Sequence, residues 1–120
     1  MIGLGQAALK IYVALEPCDM RKSFHGLFDL AVQHLEDNRL GCDVLFVFTN
    51  KRRNRIKLLY FDGTGLWVAA KRLEAGKFSW PKPSEAKQKK IVLNAEALQL
   101  LVDGVDLRGA GFKPWYERSG

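Results

Sequence analysis

The sequence predicts an α+β domain in which an antiparallel meander sheet of four or five strands is packed on one face by two helices. Short apolar runs rich in β-branched and aromatic residues recur between Asp43 and Trp80, with turn residues between them. Apolar residues at steps of three and four mark one helix near residues 20–37 and a second near 95–104. Of the 120 residues, 48% are hydrophobic and 27% are charged, as in an ordinary globular protein. We therefore expect one domain over residues 1–120.

The N-terminal part is predicted to be a strand followed by a helix. The segment LKIYVA, residues 9–14, has the composition of a short strand, which Pro17 prevents from continuing. Asp19 suits the N-cap of the helix, which we expect to end within DNRLG, residues 37–41. The apolar residues that share one helical face are Met20, Phe24, Leu27, Ala31 and Leu35.

The middle of the chain is predicted to be the antiparallel meander. DVLFVFT, residues 43–49, is a continuous apolar run and therefore a central strand. RIKLLYF, residues 55–61, alternates two faces, and DGTG, residues 62–65, supplies a turn that tolerates positive φ. A third strand is expected over residues 66–73 and a short one over residues 77–80.

The C-terminal part is predicted to add an edge strand and the second helix. PKPSEAKQKK, residues 81–90, has no large apolar residue and is expected to be a mobile basic loop. Residues 91–93 read as an edge strand, Asn94 as the N-cap of the second helix and Gly104 as its exit. The tail, residues 108–120, is expected to be irregular.

Positive charge is concentrated in one third of the chain. The formal net charge is +6, but Asn50 to Lys90 holds twelve Lys or Arg against three acids, a net of +9, and the remainder holds seven against ten, a net of −3. Such asymmetry favours a polyanionic partner, most commonly nucleic acid. The sequence contains no apolar run long enough to span a bilayer and no secretory signal, so we expect a cytoplasmic protein with no membrane partner.

The segment KRRNRIK, residues 51–57, sets five cations within seven positions at the expected tip of a hairpin. A two-stranded ribbon can enter a major groove about 12 Å wide, and Arg donates to phosphates or guanine edges. Cations and aromatic rings on the following strands could extend this surface. The predicted nucleic-acid-binding residues are Lys51, Arg52, Arg53, Arg55, Lys57, Lys71, Arg72, Lys77 and Trp80. Two alternatives stay open for the cations, protection of a sheet edge and docking of an acidic protein, and a core position is the alternative for Trp80.

No catalytic, metal or cofactor site is predicted, and no small-molecule ligand is expected. Cys18 and Cys42 form no CxxC pair, and His25 and His34 are nine residues apart, on opposite sides of a helix. The chain also lacks a Gly-rich phosphate-binding loop.

A metal-dependent nuclease is an enzyme class that the sequence disfavours. Its carboxylates would be Asp62 and Glu85, with Lys87 beside them. Glu85 and Lys87 lie in the Pro- and Lys-rich loop, where no strand would hold them within the tolerance of a metal site.

Three stretches carry a resemblance to a known family: PCDMRKSFHGL at residues 17–27, FVFTNKRRNRIKLLYFDGTGLWVAAKRLEAGKFSWP at 46–81 and NAEALQLLVDGVDLR at 94–108. They resemble the TnpB accessory proteins of the insertion sequence 66 transposon family. The resemblance implies a bacterial mobile-element protein that accompanies a larger transposase and is itself no catalyst. Together with the charge pattern it predicts a non-catalytic accessory factor for DNA transposition and recombination, nucleoid-associated, that binds transposon-end DNA or the transposase–DNA complex. An adaptor that docks on the transposase without contacting DNA is the alternative.

Arg21 and Lys22 are a further candidate patch. They fall in the first turn of the predicted helix, where cations oppose the helix dipole. Two explanations stay open, a functional role or a simple ion pair with Glu16 or Asp19.

Overall fold

The computed structural model describes residues 9–35, 44–82 and 90–104. In chain order its elements are β1 (Lys10–Ala14), α1 (Phe24–Leu35), β2 (Val44–Thr49), β3 (Arg55–Phe61), β4 (Leu66–Arg72), β5 (Lys90–Leu93) and α2 (Ala95–Val102). The α+β class is confirmed. None of the helices within the described ranges is long and apolar enough to cross a membrane.

The sheet is mixed, so the prediction of a purely antiparallel meander is wrong. Its strand order is β4-β3-β2-β1-β5, which places β2 at the centre and β5 at an edge, as predicted. The meander is confined to β2, β3 and β4. β1 pairs in parallel with β2, Ile11 lying opposite Leu45, and β5 pairs antiparallel with β1. Parallel neighbours need a long crossover connection, and the segment that contains α1 provides it.

The two helices cover opposite faces of the sheet, which corrects the prediction that both lie on one face. Alternate residues of each strand enter two separate cores. On the α2 face, Ile11, Val13, Leu45 and Val47 pack with Ala97, Leu98 and Leu101. On the α1 face, Ala14, Phe46, Phe48 and Leu59 pack with Leu27 and Ala31. The crossover places α1 on one side, and the short step from β5 to α2 turns the chain onto the other.

Helix α1 begins later than predicted, at Phe24. Asp19 does not cap it, because the Asp19 backbone carbonyl accepts a hydrogen bond from the Lys22 amide at 3.1 Å, within a turn that precedes the helix. The first helical bond runs from the Leu27 amide to the Ser23 carbonyl at 2.8 Å. Phe24 is 46% exposed, so the predicted apolar face contributes buried residues only from Leu27 onward. The predicted end at residues 37–41 lies outside the described residues.

The boundaries of α2 follow the predicted signals. The Asn94 side chain accepts a hydrogen bond from the Ala97 amide at 2.7 Å, and Gly104 has a φ of 76°. These are a helix N-cap and a left-handed exit residue. Most of the predicted basic loop, residues 83–89, and the whole predicted tail, residues 108–120, lie outside the described residues.

The predicted strand over residues 77–80 does not form. This segment instead lies over the α2 face, where Phe78 and Trp80 are buried in the core. The Phe78 amide donates to the Arg53 carbonyl at 2.6 Å, and the Trp80 indole donates to the Ala14 carbonyl at 3.0 Å. Large aromatic residues thus serve as core side chains here without a strand ladder.

Candidate nucleic-acid interface

Three chain connections meet at one end of the sheet. Since β1 and β2 are parallel, the connections that leave both strands start at this end, and the antiparallel meander brings the start of β3 and the end of β4 to it. The Cys18 amide donates to the Thr49 carbonyl at 2.8 Å, which joins the connection that follows β1 to the one that follows β2. We call this end, with its cations, the basic end: Lys51, Arg52, Arg53, Arg55, Lys57, Arg72 and Lys77.

The loop between β2 and β3 is fixed by two asparagines that the sequence analysis did not single out. The Asn50 side-chain oxygen accepts from the amides of Asn54, at 3.1 Å, and Arg55, at 3.2 Å. The Asn50 side-chain nitrogen donates to the Asn54 side-chain oxygen at 2.8 Å. The symmetric placement of two Asn about a basic run was the available signal, because Asn side chains commonly close turns.

Arg53 lies in the left-handed region, with φ 59°. Among the described residues it is the one non-glycine with positive φ. An L-residue in this conformation is less stable by about 1–2 kcal/mol than in the right-handed one. A glycine would avoid the strain, yet the chain carries a cation here.

The hairpin is flanked and is no free ribbon. β4 pairs with β3 along its whole length, and the Leu73 amide continues that pairing by donating to the Asn54 carbonyl at 2.9 Å. The Phe78 amide also donates to the Arg53 carbonyl. These two bonds pack the connection that follows β4 against the loop between β2 and β3. The cations therefore lie on a broad three-stranded end.

Arg55, Lys57 and Arg72 share the α1 face. Arg55 lies directly opposite Arg72 in the register of β3 and β4, and both are exposed. Lys57 is half-buried, and its Nζ donates to the Lys22 carbonyl at 2.7 Å.

The side chains of two predicted site residues have their partners elsewhere. Lys71 pairs with Ile56 on the α2 face, and its Nζ donates to the Val102 carbonyl at 2.8 Å, in the last turn of α2. A cation stabilises the negative end of a helix dipole, so Lys71 has a structural role. Trp80 is 6% exposed, so the prediction that its ring contacts nucleic acid is wrong.

Arg21 has the ion pair that was one of its two explanations. Its Nε and Nη2 contact the Asp19 carboxylate, Nη2 at 2.8 Å from Oδ2. Hydrogen bonds from the Arg21 side chain and amide lower the pKa of Asp19 to about 2, and the same carboxylate raises the pKa of Arg21. In the part of the chain that the structure describes, no carboxylate forms an ion pair with any cation of the basic end.

Asp62 is committed to the turn between β3 and β4. Its carboxylate accepts from the amides of Thr64 and Gly65, each at 2.9 Å, from the Thr64 hydroxyl at 3.0 Å and from the Trp67 indole at 2.8 Å. The amide of Thr64, the indole of Trp67 and the amide of Gly65 hold the pKa of Asp62 well below its usual range. The other two residues of the disfavoured nuclease site, Glu85 and Lys87, lie outside the described ranges.

The described ranges hold no group of three or more His, Cys, Asp or Glu placed to bind a metal ion. Burial raises the pKa of the Cys18 thiol, which favours its unreactive protonated form. The expectation that the protein is no enzyme stays a prediction.

Comparison with known proteins points to one family. The family described as IS66 Orf2 like protein matches residues 9–111. The uncharacterized protein y4jC of Sinorhizobium fredii (strain NBRC 101917 / NGR234) is 36% identical over 114 residues, which are 95% of this chain and 93% of that protein. The uncharacterized protein y4hO of the same strain is 31% identical over 100 residues, 83% of this chain and 84% of that protein. No solved structure matches the chain.

Proposed function

The chain belongs to the IS66 Orf2-like family, whose role is transposition-associated and accessory, and we propose from this premise that it is a non-catalytic factor that binds element DNA through its basic end. It would act in the bacterial cytoplasm at the nucleoid, beside the transposase of the same element. Transposon ends are the proposed DNA.

The observation that carries this proposal is that no carboxylate of the described residues neutralises the basic end. Cations of the basic end come from β3, β4 and two of the connections, and none is ion-paired with a carboxylate of the described residues. Like charges held together by backbone hydrogen bonds repel one another, and a polyanion relieves that repulsion. The strained backbone of Arg53 supports the same conclusion, because strain at a surface position commonly has a functional reason.

The shape of the basic end favours contact with phosphates along the DNA backbone. A flanked, three-stranded end is broader than the two-stranded ribbon for which groove insertion is predicted, so contact with phosphates is the mode that we propose. Contacts to phosphates position a protein without reading sequence. We therefore expect transposon-end and scrambled duplexes to bind with similar affinity.

Fluorescence anisotropy with labelled duplexes at a series of salt concentrations tests the proposal. If the basic end neutralises five phosphates, log K should fall with log salt at a slope of about −4.5. The Lys51→Ala/Arg52→Ala/Lys77→Ala variant changes three exposed side chains and should lower the slope to about −2. Lys10→Ala is the matched control, because Lys10 is an exposed cation at the opposite end of β1. Equal affinity and an equal salt slope of the triple variant and the wild type would show that Lys51, Arg52 and Lys77 contact no phosphate, and a wild type that does not bind duplex would overturn the proposal.

The alternative is an adaptor that docks on the transposase without contacting DNA, and one observation favours it. β4 is an edge strand whose described neighbour is β3 alone, and Trp67 on it is 43% exposed. Edge strands and exposed aromatic residues are common protein-binding features. Pull-down of the purified transposase after nuclease treatment separates the two functions. Capture that persists with Lys51→Glu/Arg52→Glu but is lost with Ala69→Asp, on the exposed edge, would identify the adaptor.

A further inference from the structure

The pairing of Arg55 with Arg72 needs an explanation that the general charge of the basic end does not give. The two residues are direct cross-strand neighbours on β3 and β4, and like charges in this arrangement destabilise a sheet. No carboxylate of the described residues forms an ion pair with either guanidinium group. An anion placed between them would turn the repulsion into two favourable contacts.

The surface around the pair is concave. An open depression of about 300 Å³ is lined by Arg55, Lys57, Ala70, Arg72 and Met20, and also by Ile56 and Lys71, which alternate with them along the two strands. Ala70 lies opposite Lys57, and its small side chain leaves the space between the cations open. Met20, from the turn before α1, forms an apolar wall.

Lys57 is held in place at this depression. Its Nζ donates one hydrogen bond to the Lys22 carbonyl at 2.7 Å. An ammonium group has three donors, and among the described residues only the Lys22 carbonyl accepts from this one. A half-buried lysine fixed by a backbone carbonyl loses little further side-chain entropy when an anion binds.

We propose that this depression, which we call the arginine pocket, binds one phosphate group. Guanidinium forks match the paired oxygens of a phosphate, and Lys57 supplies a further point charge. Resting on the proposed function, the inference assigns this phosphate to the DNA backbone, which the pocket would hold at one fixed position. The other exposed cations would then attract the DNA by charge alone, with no fixed contact geometry: Lys51, Arg52 and Lys77.

Variants that keep the charge but change the geometry test the pocket. Arg55→Lys/Arg72→Lys keeps both positive charges and removes both forks. We expect it to weaken duplex binding about tenfold or more at fixed salt, since a bidentate Arg contact is not reproduced by Lys. Arg52→Lys, the matched control in the loop, should stay within about twofold of the wild type. Melting temperatures of both variants report whether the fold is kept.

A second measurement uses the wild-type chain and inorganic phosphate. The arginine Nε–Hε resonances are followed by NMR during titration with phosphate, and chloride at equal ionic strength is the control. We expect saturable shifts at Arg55 and Arg72 that chloride does not produce. If phosphate changes the chemical shifts of all exposed arginines equally, the proposed pocket is wrong.

The two proposals fail in different ways. If the wild type does not bind duplex, the proposed function fails, and the phosphate titration still reports on the pocket. If the wild type binds and the Arg55→Lys/Arg72→Lys variant, folded as the wild type, binds equally, the arginine pocket is wrong and contact by the basic end stands.

Discussion

Replacement of Arg53 should separate stability from binding. The left-handed backbone of an L-residue is unfavourable by about 1–2 kcal/mol, and glycine avoids it. Glycine also gains freedom in the unfolded chain, which offsets about 0.5–1 kcal/mol of that benefit. Arg53→Gly should therefore be as stable as the wild type or more stable by up to about 1.5 kcal/mol. For a domain of this size, that corresponds to an increase in melting temperature of up to about 6 °C.

Arg53→Ala is the matched control because it removes the same charge and keeps an L-residue at φ 59°. Thermal unfolding followed by circular dichroism should rank the glycine variant above the alanine variant. Both should weaken DNA binding equally and reduce the salt slope by about 0.9, the contribution of one phosphate contact. An alanine variant as stable as the glycine variant would refute the strain argument, and unchanged binding by both would show that Arg53 contacts no phosphate.

Three further predictions concern single interactions. Asp62→Asn should lower the melting temperature at neutral pH. Because the pKa of Asp62 is lower in the folded state, its contribution to stability is fully present above the unfolded pKa of about 3.9 and is lost as the pH falls through the folded pKa. The difference in melting temperature between variant and wild type should therefore disappear in acid. A difference that is independent of pH would contradict this explanation. Asn94→Ala should destabilise the protein by about 1 kcal/mol in urea unfolding, whereas Asn94→Ser should retain most of the cap, and equal losses would show that capping is not the cause. Lys71→Met should destabilise the protein by about 0.3–1 kcal/mol at low salt, because the contact with the Val102 carbonyl is lost. DNA binding should stay nearly unchanged. A large loss of affinity would show that Lys71 contacts DNA.

The elements that the sequence predicted well have local signals. The cap at Asn94, the left-handed exit at Gly104 and the turn at Asp62 each depend on residues within a few positions. The parallel pairing of β1 with β2 has no such signal, because a helix separates the two strands and no turn fixes their register. The start of α1 was misplaced because Asp19 is an acceptable cap by residue type, whereas its backbone carbonyl instead closes a turn with the Lys22 amide before the helix begins.

The candidate site, like the fold, could be predicted only in part from the sequence. Its cations could be recognised from composition, but the faces they occupy depend on register. Lys71 and Arg72 are adjacent in sequence and point to opposite faces, one toward the end of α2 and the other beside Arg55. The burial of Trp80 also depends on a distant partner, the Ala14 carbonyl.

The position of β1 between β2 and β5 has a consequence for synthesis on the ribosome. Ile11, made early, pairs with Leu93, which is synthesised only after three quarters of the chain. Until then β1 has one neighbour, and the α2 face lacks its cover of Ala97, Leu98 and Leu101. The α2 face of a nascent chain therefore lacks part of its apolar cover until the last quarter of the chain is translated.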